Sequence, residues 1–467
     1  MKRVFRSPLV LTFIALAASA CGSSESPTSS GSHTTSSGVG SGSGPAAGGD
    51  PCRGTALPTD GHYVPKGLCA RLVAQGLPGL RQITFAPNGD LFGVTSAGAV
   101  MLLRDANGDG VYQPAEAVQF ATTGGNGNNC HLDVAGGYLY AGTPDGVKRW
   151  KYSPTSLSGG DGEAVVTGQA ADGNHPKHTV HVYDGYLYVH SGSSGNASDP
   201  MAPEYDTDRS LLKRFKLADF KSGSPFAWSS GEAYSVGLRN MVGFTRNAAG
   251  KMFGVVNGLD NVRYQNADVH DDNPGEQIVE LGQGKKFGYP FCYTAQRVVK
   301  GGAVLEAGTQ VANQDFTVGG HDDAWCAQNS DKPATFVQAH SAPLDLTFFD
   351  SAPAGGLPEK WRNGAFVALH GSWDRGVTTG YKVVWIPFDA SGKAPMPTST
   401  ATETTFPYET VFGGGTAAGP HDGLWSWSEG SAGESPRPVG VAISPLDGAL
   451  YVSSDSGGMI YRVGLQR

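Results

Sequence analysis

The sequence has few charged residues and lacks the pattern that long helices leave. Only 16% of its 467 residues are Asp, Glu, Lys or Arg, and apolar residues do not recur at helical spacing. It also lacks clusters of basic residues, and its formal net charge is −8. The scarcity of charge argues against long surface helices, and the missing basic clusters argue against nucleic acid as a partner.

The first twenty residues predict export. Lys2, Arg3 and Arg6 form a basic start, and the apolar run that follows is too short to be a comfortable membrane span. Small residues then lead to Cys21, as before the lipidated cysteine of a bacterial lipoprotein. We therefore expect residues 1–20 to be a lipoprotein signal peptide. The mature protein would be anchored to a membrane through Cys21, facing the periplasm or the cell surface. An ordinary secretory signal is the alternative.

The rest of the chain divides into a tether and one large unit. Residues 21–50 are rich in Gly, Ser and Thr, a composition with nothing to bury that is typical of a flexible linker. Residues 51–467 exceed the usual size of one domain but contain no second linker. We therefore expect residues 51–467 to be a repeat architecture that folds as a single unit.

Five cysteines follow the N-terminal one. Disulfides are expected in an exported chain. We predict the two pairings with short loops, Cys52–Cys69 and Cys292–Cys326, which leave Cys130 as a buried free thiol. Five cysteines also allow other pairings.

One short pattern, a turn containing glycine followed by an alternating apolar strand, recurs along the chain. Examples are "APNGDLFGVTS" and "YDGYLYVHSGS". A glycine in such a turn suits a hairpin position with positive φ, and the strand after it alternates as a half-buried strand does. The six turn glycines are Gly89, Gly137, Gly185, Gly250, Gly364 and Gly448.

Six similar hairpins favour an all-β fold, the six-bladed β-propeller, because a closed ring of four-stranded units protects the strand edges. Insertions between blades would fill the longest intervals. These are the segment from Cys292 to Cys326 and the Gly/Ser/Thr-rich region around residues 391–435. A β-sandwich is the alternative fold, but it would not need six similar hairpins over this length.

The stretch "DANGDGVYQPAE" has the spacing of an EF-hand calcium loop, and we expect it between blades 1 and 2. Because strands are expected on both sides, the ion would be structural. A solvated acidic turn is the alternative. Gly110 would allow the chain to reverse around the ion, and the predicted ligands are Asp105, Asn107, Asp109, the carbonyl of Val111, and Glu116.

Four histidines lie within sixteen residues around one predicted hairpin: His175, His178, His181 and His190. A zinc site needs ligands that converge on one point, whereas we expect His178 and His181 within the first strand on opposite faces and His190 at the end of the second strand. His175, just before the first strand, is better suited to be a general base, since neutral imidazole accepts a proton near pH 7. A packed or surface histidine is the alternative.

Further motifs accompany this hairpin, namely "GLRN", "FGYP", "AHSAP", "LHGSWDR" and "RPVGVAISPLDGALYVSSDSGG". Together they resemble the glucose/sorbosone dehydrogenases, quinoproteins that bind pyrroloquinoline quinone on a six-bladed propeller. The resemblance is closest to the sorbosone dehydrogenase-like branch and covers most of the chain after about Leu77.

This resemblance implies that the chain oxidises a sugar with pyrroloquinoline quinone and calcium. In the family, the histidine at the position of His175 takes the proton of the sugar hydroxyl while hydride passes to the quinone. The resemblance places Arg239 by the quinone oxygens and Asn240 against the cofactor. Backbone carbonyls of Gly258 and Leu259 would bind the calcium ion that clamps the cofactor.

The resemblance also implies that Arg375 and Arg437 bind cofactor carboxylates and that Arg81 and His340 line the channel rim. Because the cofactor carries three carboxylates, arginines are suitable partners. Ordinary ion pairs are the alternative for each arginine. The chain has no Cys-x-x-Cys-His motif for haem attachment, so electrons would leave to a separate acceptor.

Two departures from the family pattern leave other functions open. His178 stands where the family commonly has arginine, and Lys285–Pro290 replaces a motif that usually has asparagine, tyrosine and tryptophan. One alternative is a calcium-dependent lactonase, which would need carboxylate and amide ligands in the channel. The other is a tethered propeller without catalytic activity that binds a glycan or a protein.

Overall fold

The structure is a computed structural model that describes residues 52, 55–56, 62–125, 131–176, 178–197, 208–350, 352–353, 355–402, 404–416, 419–420 and 436–466. The predicted signal peptide, the tether and Cys21 lie outside the described residues, and so does Cys130. Export and lipid anchoring therefore stay predictions. Within the described part of the chain, no helix is long and apolar enough to span a membrane.

Six sheets form the blades of a β-propeller, which confirms the predicted fold. Within each blade, four antiparallel strands follow one another from the ring axis outward. The strands of blade 1 are Leu80–Phe85, Leu91–Thr95, Ala99–Leu103 and Ala117–Thr122. Those of blade 2 are Leu132–Ala135, Tyr138–Thr143, Gly146–Lys151 and Glu163–Thr167. Those of blade 3 are Val180–Tyr183, Tyr186–Ser191, Leu211–Lys216 and Glu232–Val236.

The other three blades have the same arrangement. The strands of blade 4 are Asn240–Arg246, Met252–Asn257, Glu276–Leu281 and Thr335–Val337. Those of blade 5 are Pro343–Phe348, Ala365–Leu369, Lys382–Ile386 and Glu409–Gly413. Those of blade 6 are Pro438–Ile443, Leu450–Ser454, Met459–Leu465 and, as the outer strand, Leu68–Ala74.

Shorter elements lie at the blade edges and in the loops. The α-helix is Asp323–Asn329. The 3-10 turns are Pro114–Glu116, Leu217–Asp219, Trp228–Ser230, His270–Asp272, Gln314–Gly319 and Glu359–Trp361. The short strands are Thr55–Ala56, Phe226–Ala227, Arg263–Tyr264, Ala267–Asp268, Lys285–Lys286, Cys292–Thr294, Val299–Lys300, Ala303–Val304, Gln310–Ala312, Gly415–Thr416 and Gly419–Pro420.

Each pair of neighbouring blades shares an apolar core. Between blades 1 and 2, for example, the core contains Phe92, Phe120, Leu132, Leu139 and Trp150. Corresponding clusters fill the other five interfaces around the ring. Burial of apolar surface contributes roughly 25 cal/mol per Å². Since every core needs two blades, each blade is stabilised by both of its neighbours.

The two ends of the chain close the ring in blade 6. Leu68–Ala74 pairs antiparallel with Met459–Leu465, with Leu68 opposite Leu465. A disulfide between Cys52 and Cys69 ties the preceding segment to this outer strand. The second disulfide joins Cys292 to Cys326, so both predicted pairings are confirmed.

The predicted insertions lie mostly within blades and not between them, which corrects the sequence analysis. The segment from Cys292 to Cys326 connects the third and fourth strands of blade 4. The acidic loop connects the third and fourth strands of blade 1, and residues 387–408 do so in blade 5. Residues 421–435, the end of the Gly/Ser/Thr-rich region, lie outside the described residues.

The turn glycines are confirmed at five of the six hairpins, where φ lies between 69° and 93°. Gly364 differs, because its neighbour Asn363 takes the left-handed conformation with φ of 66°. A Cβ atom on Gly364 would lie 2.0 Å from Nε1 of Trp385. Glycine is required there by close packing and not by backbone conformation.

The innermost strand of every blade begins at the same end of the ring axis, which we call the top face. The loops between the second and third strands of each blade return to this face. Loops at one end of a rigid propeller can therefore bring residues of several blades together.

Substitutions at Gly250 and Gly364 should distinguish a glycine required for its positive φ from one required by close packing. Gly250→Ala should cost about 1–2 kcal/mol through its φ of 81°, and Gly250→Asn should cost less, because Asn tolerates this conformation. Gly364→Ala and Gly364→Asn should both cost about 1–3 kcal/mol or more, through overlap with Trp385. Urea unfolding of the four variants measures this. A tolerated Gly364→Asn would contradict the packing explanation.

Candidate functional site

The fold brings the residues predicted for the cofactor site to the top face. His175, Arg239 and Arg437 come just before the innermost strands of blades 3, 4 and 6. Arg81 and Asn240 stand at the beginning of such strands in blades 1 and 4, and His340 comes just before that of blade 5. The loops between the second and third strands of blades 4 and 5 carry the rest, namely Gly258, Leu259 and Arg375.

Arg239 is the centre of a buried hydrogen-bond network. Its side chain is 5% exposed, and Nη2 donates to Oδ2 of Asp260 at 2.8 Å. Nη2 also donates to Oδ1 of Asn196 at 2.9 Å, and Nε donates to the Asn196 carbonyl at 2.9 Å. Nη1 donates to the carbonyl of Gly258. The predicted arginine is therefore held firmly, by partners from blades 3 and 4.

Three potential metal ligands lie next to this network. Asp260, His340 and Asp374 each place one ligand atom within 4.8 Å of the others. Asp260 follows Gly258 and Leu259, to which the sequence analysis assigned a calcium ion. Asn261, His340 and Asp374 have φ between 53° and 61°, a conformation that costs energy for residues other than glycine. Such strain is concentrated at functional sites in proteins.

A second charged cluster connects blades 1, 5 and 6. Asp455 accepts hydrogen bonds from Arg81 at 2.7 Å and from Nε2 of His370 at 2.9 Å. Burial lowers the pKa of His370 to about 4, so this ring is neutral at pH 7. Burial alone would raise the pKa of Asp455, but His370, Arg81 and Arg437 hold it below its usual range.

This cluster has an excess of positive charge. Arg81 and Arg437 carry one positive charge each, and Asp455 carries one negative charge. With His370 neutral, one positive charge remains near the middle of the top face. Guanidinium groups in such surroundings are suited to bind a carboxylate or another anion.

Arg375 contacts protein backbone. Its Nε donates to the carbonyl of Val377 at 2.6 Å, and Nη1 donates to that of Asp271 at 2.8 Å. Its Nη2 lies 3.7 Å from Asp272. This arginine ties the blade 5 loop to the loop of blade 4.

His175 is half-buried, and its Nδ1 lies 2.6 Å from Oγ of Ser193. The Ser193 hydroxyl donates to the carbonyl of Gly195 at 2.8 Å, so its oxygen accepts the Nδ1 proton of His175. Nε2 of the neutral ring then carries the lone pair. This tautomer suits a group that takes up a proton.

The other three histidines of the stretch have separate surroundings. Burial lowers the pKa of His178 to about 4 and that of His190 to about 3. His178 contacts the carbonyls of Thr143 and Ala170. It precedes the strand Val180–Tyr183, whereas we had expected it within the strand. His181 lines a cavity of about 360 Å³ at the other end of the ring axis. The four histidines do not form one site.

The family model described as TrAA12-like matches residues 62–466. The chain belongs to the TrAA12-like family. The resemblance to quinone-dependent sugar dehydrogenases is thereby confirmed for the family, and the sorbosone-like branch stays a prediction.

Two curated relatives have names that describe quinone-dependent dehydrogenases. The TrAA12-like chain is 29% identical to a pyrroloquinoline quinone-dependent pyranose dehydrogenase of Coprinopsis cinerea, over 88% of this chain and 55% of the relative. It thus spans about half the length of that protein. It is 28% identical to a pyrroloquinoline quinone-dependent sugar dehydrogenase of Hypocrea jecorina, over 84% of this chain and 86% of the relative.

Two solved structures share the fold. The holo form of the pyranose dehydrogenase quinone domain from Coprinopsis cinerea has a TM-score of 0.72 at 28% identity, and the match covers 88% of this chain and 99% of that one. The calcium structure of Trichoderma reesei Carbohydrate-Active Enzymes Family AA12 has a TM-score of 0.73 at 26% identity, with 88% and 98% covered.

Four residues of the site in this TrAA12-like chain were not singled out from the sequence, namely Asn196, Asp260, Asp374 and Asp455, whereas His370 belongs to the "LHGSWDR" motif that was. Asp260 stands in "NGLDN" and Asp374 in "HGSWDR", so acidic residues directly beside residues already chosen were the available signal. Asn196 ends the histidine-rich stretch and gave no comparable signal.

The carboxylates of the acidic loop in blade 1 point toward its own backbone. Asp105 accepts from the N–H groups of Gly108 and Gly110 at 2.8 and 2.9 Å. Asp109 accepts from that of Val111 at 2.7 Å. These contacts give the loop a closed shape, and the calcium ion assigned to it stays a prediction.

The buried histidines predict that acid destabilises the TrAA12-like fold. With a folded pKa of about 3, His190 stays neutral while the unfolded chain gains a proton below about pH 6.5. Stability should fall by about 1.4 kcal/mol per pH unit for this residue as the pH falls from 6.5. Denaturant unfolding at pH 7 and pH 5 measures how much free energy of unfolding is lost in acid. This loss should be about 2 kcal/mol smaller in His190→Gln than in the parent.

The control is His270→Gln, because Asp268 raises the pKa of His270. A raised pKa stabilises the fold at low pH, so this variant should not reduce the loss of stability between pH 7 and pH 5. Equal losses in the parent and His190→Gln would contradict the prediction.

Proposed function

We propose that the protein is a sugar dehydrogenase that uses pyrroloquinoline quinone and calcium and transfers hydride from the sugar to the quinone. The observation that carries the proposal is the top face, where His175, Arg239 and the positively charged cluster of Arg81 and Arg437 meet at one end of the ring. The names of the relatives support it. When bound, the quinone would supply the hydride acceptor.

The residues present fit such a cofactor. Its carboxylates suit the excess positive charge of Arg81, Arg437 and Asp455. Its cation would be calcium, held by the backbone carbonyls of Gly258 and Leu259. The carboxylates of Asp260 and Asp374 beside these carbonyls favour a cation in this region.

His175 would act as the general base. With Ser193 holding the Nδ1 proton, Nε2 takes up the proton of the sugar hydroxyl as the C–H bond breaks. Arg239 would bring a fixed positive charge to the oxygens that gain negative charge, and Asp260 and Asn196 keep its guanidinium oriented. Asn240, the first residue of the innermost strand of blade 4, would help to hold the cofactor.

The test is reconstitution of the protein from Pro51 onward with calcium and pyrroloquinoline quinone. Dye reduction is followed across a panel of aldoses and lactones, and quinone binding is measured separately by calorimetry. We expect binding of the quinone and dye reduction with at least one sugar. Lactone hydrolysis without dye reduction would indicate the lactonase. Neither quinone binding nor turnover would indicate a binding propeller, and either result overturns the proposal.

In the same assay, His175→Ala should lower the oxidation rate by about 100- to 10,000-fold and leave quinone affinity nearly unchanged. The matched control is His321→Ala in the blade 4 insertion, whose ring stacks on Phe291 and should leave the rate unchanged. Equal losses of rate and affinity in His175→Ala would mean that His175 is a structural residue or a cofactor ligand.

We further infer a structural calcium ion in the acidic loop of blade 1, with Asp105, Asn107, Asp109, the Val111 carbonyl and Glu116 as ligands. The support is the spacing of these groups and the inward direction of the carboxylates. In protein stripped with EDTA and free of quinone, added calcium should raise the melting temperature.

Asp109→Ala should reduce this calcium-induced rise by at least half, because one carboxylate ligand is lost. Asp161→Ala, an exposed acidic residue of blade 2, is the control and should keep the full rise. An unchanged rise in Asp109→Ala would exclude a structural ion in the loop.

A further inference from the structure

Three side chains from three different segments converge beside Arg239. Asp260 comes from the loop between the second and third strands of blade 4, and Asp374 comes from the corresponding loop of blade 5. His340 comes from the connection between these blades. Their ligand atoms lie within 4.8 Å of one another. At this spacing a single ion between them could hold all three side chains.

His340 is oriented as a metal-binding histidine is. It is 4% exposed, and its Nε2 lies 2.8 Å from the carbonyl oxygen of His270 and 3.0 Å from that of Asn273. Carbonyl oxygens only accept hydrogen bonds, so Nε2 carries the proton and Nδ1 carries the lone pair. Histidines that bind metals usually donate their second ring N–H to a carbonyl or carboxylate in this way.

Each carboxylate is also fixed by one hydrogen-bond donor. Oδ2 of Asp260 accepts from Nη2 of Arg239 at 2.8 Å, and Oδ2 of Asp374 accepts from the backbone N–H of Asn261 at 2.5 Å. The second oxygen of each carboxylate remains for a ligand. Partners that orient ligands are a regular part of metal sites, and replacing them commonly weakens binding 10- to 100-fold.

We propose that Asp260, His340 and Asp374 form a side-chain site that binds a first-row divalent ion, such as Mn²⁺, Co²⁺ or Zn²⁺, in preference to Ca²⁺. Calcium is usually surrounded by six to eight oxygen atoms. Imidazole instead favours transition metals, and carboxylates accept Mn²⁺ and Zn²⁺ as well. One nitrogen and two carboxylates thus select the smaller, nitrogen-binding ions.

This inference goes beyond the proposed function. There the cation is calcium held by backbone carbonyls of Gly258 and Leu259, whereas this site consists of side chains and differs in the ion that it takes. It concerns the protein without quinone, so a failure of sugar oxidation leaves it unaffected. If no metal ion binds, the proposed dehydrogenase activity is still tested independently by its own assay.

The experiment is calorimetric titration of EDTA-stripped, quinone-free protein with MnCl₂, CoCl₂ and CaCl₂ in separate runs. Only binding that is weakened by replacing Asp260, His340 or Asp374 is counted as binding at this site. We expect Mn²⁺ and Co²⁺ to bind there at least 10-fold more tightly than Ca²⁺. Tighter or equal binding of Ca²⁺ at these residues would overturn the ion class. No binding of any ion would mean that the three side chains form a hydrogen-bond network only.

Variants locate the bound ion. Asp374→Asn keeps the shape of the side chain, and Asn tolerates the φ of 53° at this position. We expect it to weaken Mn²⁺ binding by at least about 10- to 100-fold, and Asp260→Asn to do the same. The matched control is Asp272→Asn, because Asp272 faces Arg297 and Arg375. Unchanged binding in Asp374→Asn, or equal weakening in the control, would overturn the site.

Circular dichroism and the melting temperature of each variant test whether it is folded. His340→Gln is the second variant, because Gln keeps a donor for the carbonyls of His270 and Asn273 but has no imidazole. With the fold intact, its Co²⁺ affinity should fall further than its Ca²⁺ affinity. An equal fall for both ions would mean that no nitrogen ligand contributes.

Discussion

The pairing of Leu68–Ala74 with Met459–Leu465 is the interaction on which the rest of the structure depends. Each apolar core lies between two blades. An open ring would therefore expose the core between blades 6 and 1 or the core between blades 5 and 6. Closure also sets the distances across the top face. The candidate site takes residues from blades 1, 3, 4, 5 and 6, so it is complete only when five of the six blades are in place.

On this closed ring, the site is assembled from opposing charges that are buried together. Asp455 is shared by Arg81 and His370, and Asp260 is held by Arg239. Buried charges are costly unless they are paired and hydrogen-bonded. Such a pairing fixes the guanidinium groups before any ligand arrives, and pre-organisation of this kind is what electrostatic catalysis requires.

Much of the fold could be predicted from the sequence, because turn glycines and alternating strands are local signals. The two disulfides were predicted from the short loops that they close, and Arg239 and Arg437 were assigned to one site with His175 by the resemblance to a known family. The position of the insertions could not be predicted, since the repeated hairpin marks only the inner two strands of each blade. Contacts between distant segments could not be predicted either. Gly364 is required by Trp385, and Asp260 meets Asp374 only after two blades have packed.

The blade 4 insertion has its own disulfide from Cys292 to Cys326 and an apolar cluster around Phe291. A second cluster, around Tyr293, is shared with Leu259 and Tyr264 of the top-face loop. It connects the third and fourth strands of the blade and leaves the ladder of the ring intact. Tyr264 of the top-face loop donates to Asp323 in the insertion at 2.7 Å. The insertion therefore supports, from outside the ring, the loop that carries Gly258 and Leu259, and a change in its length would alter the top face while the ladder of the blades stays intact.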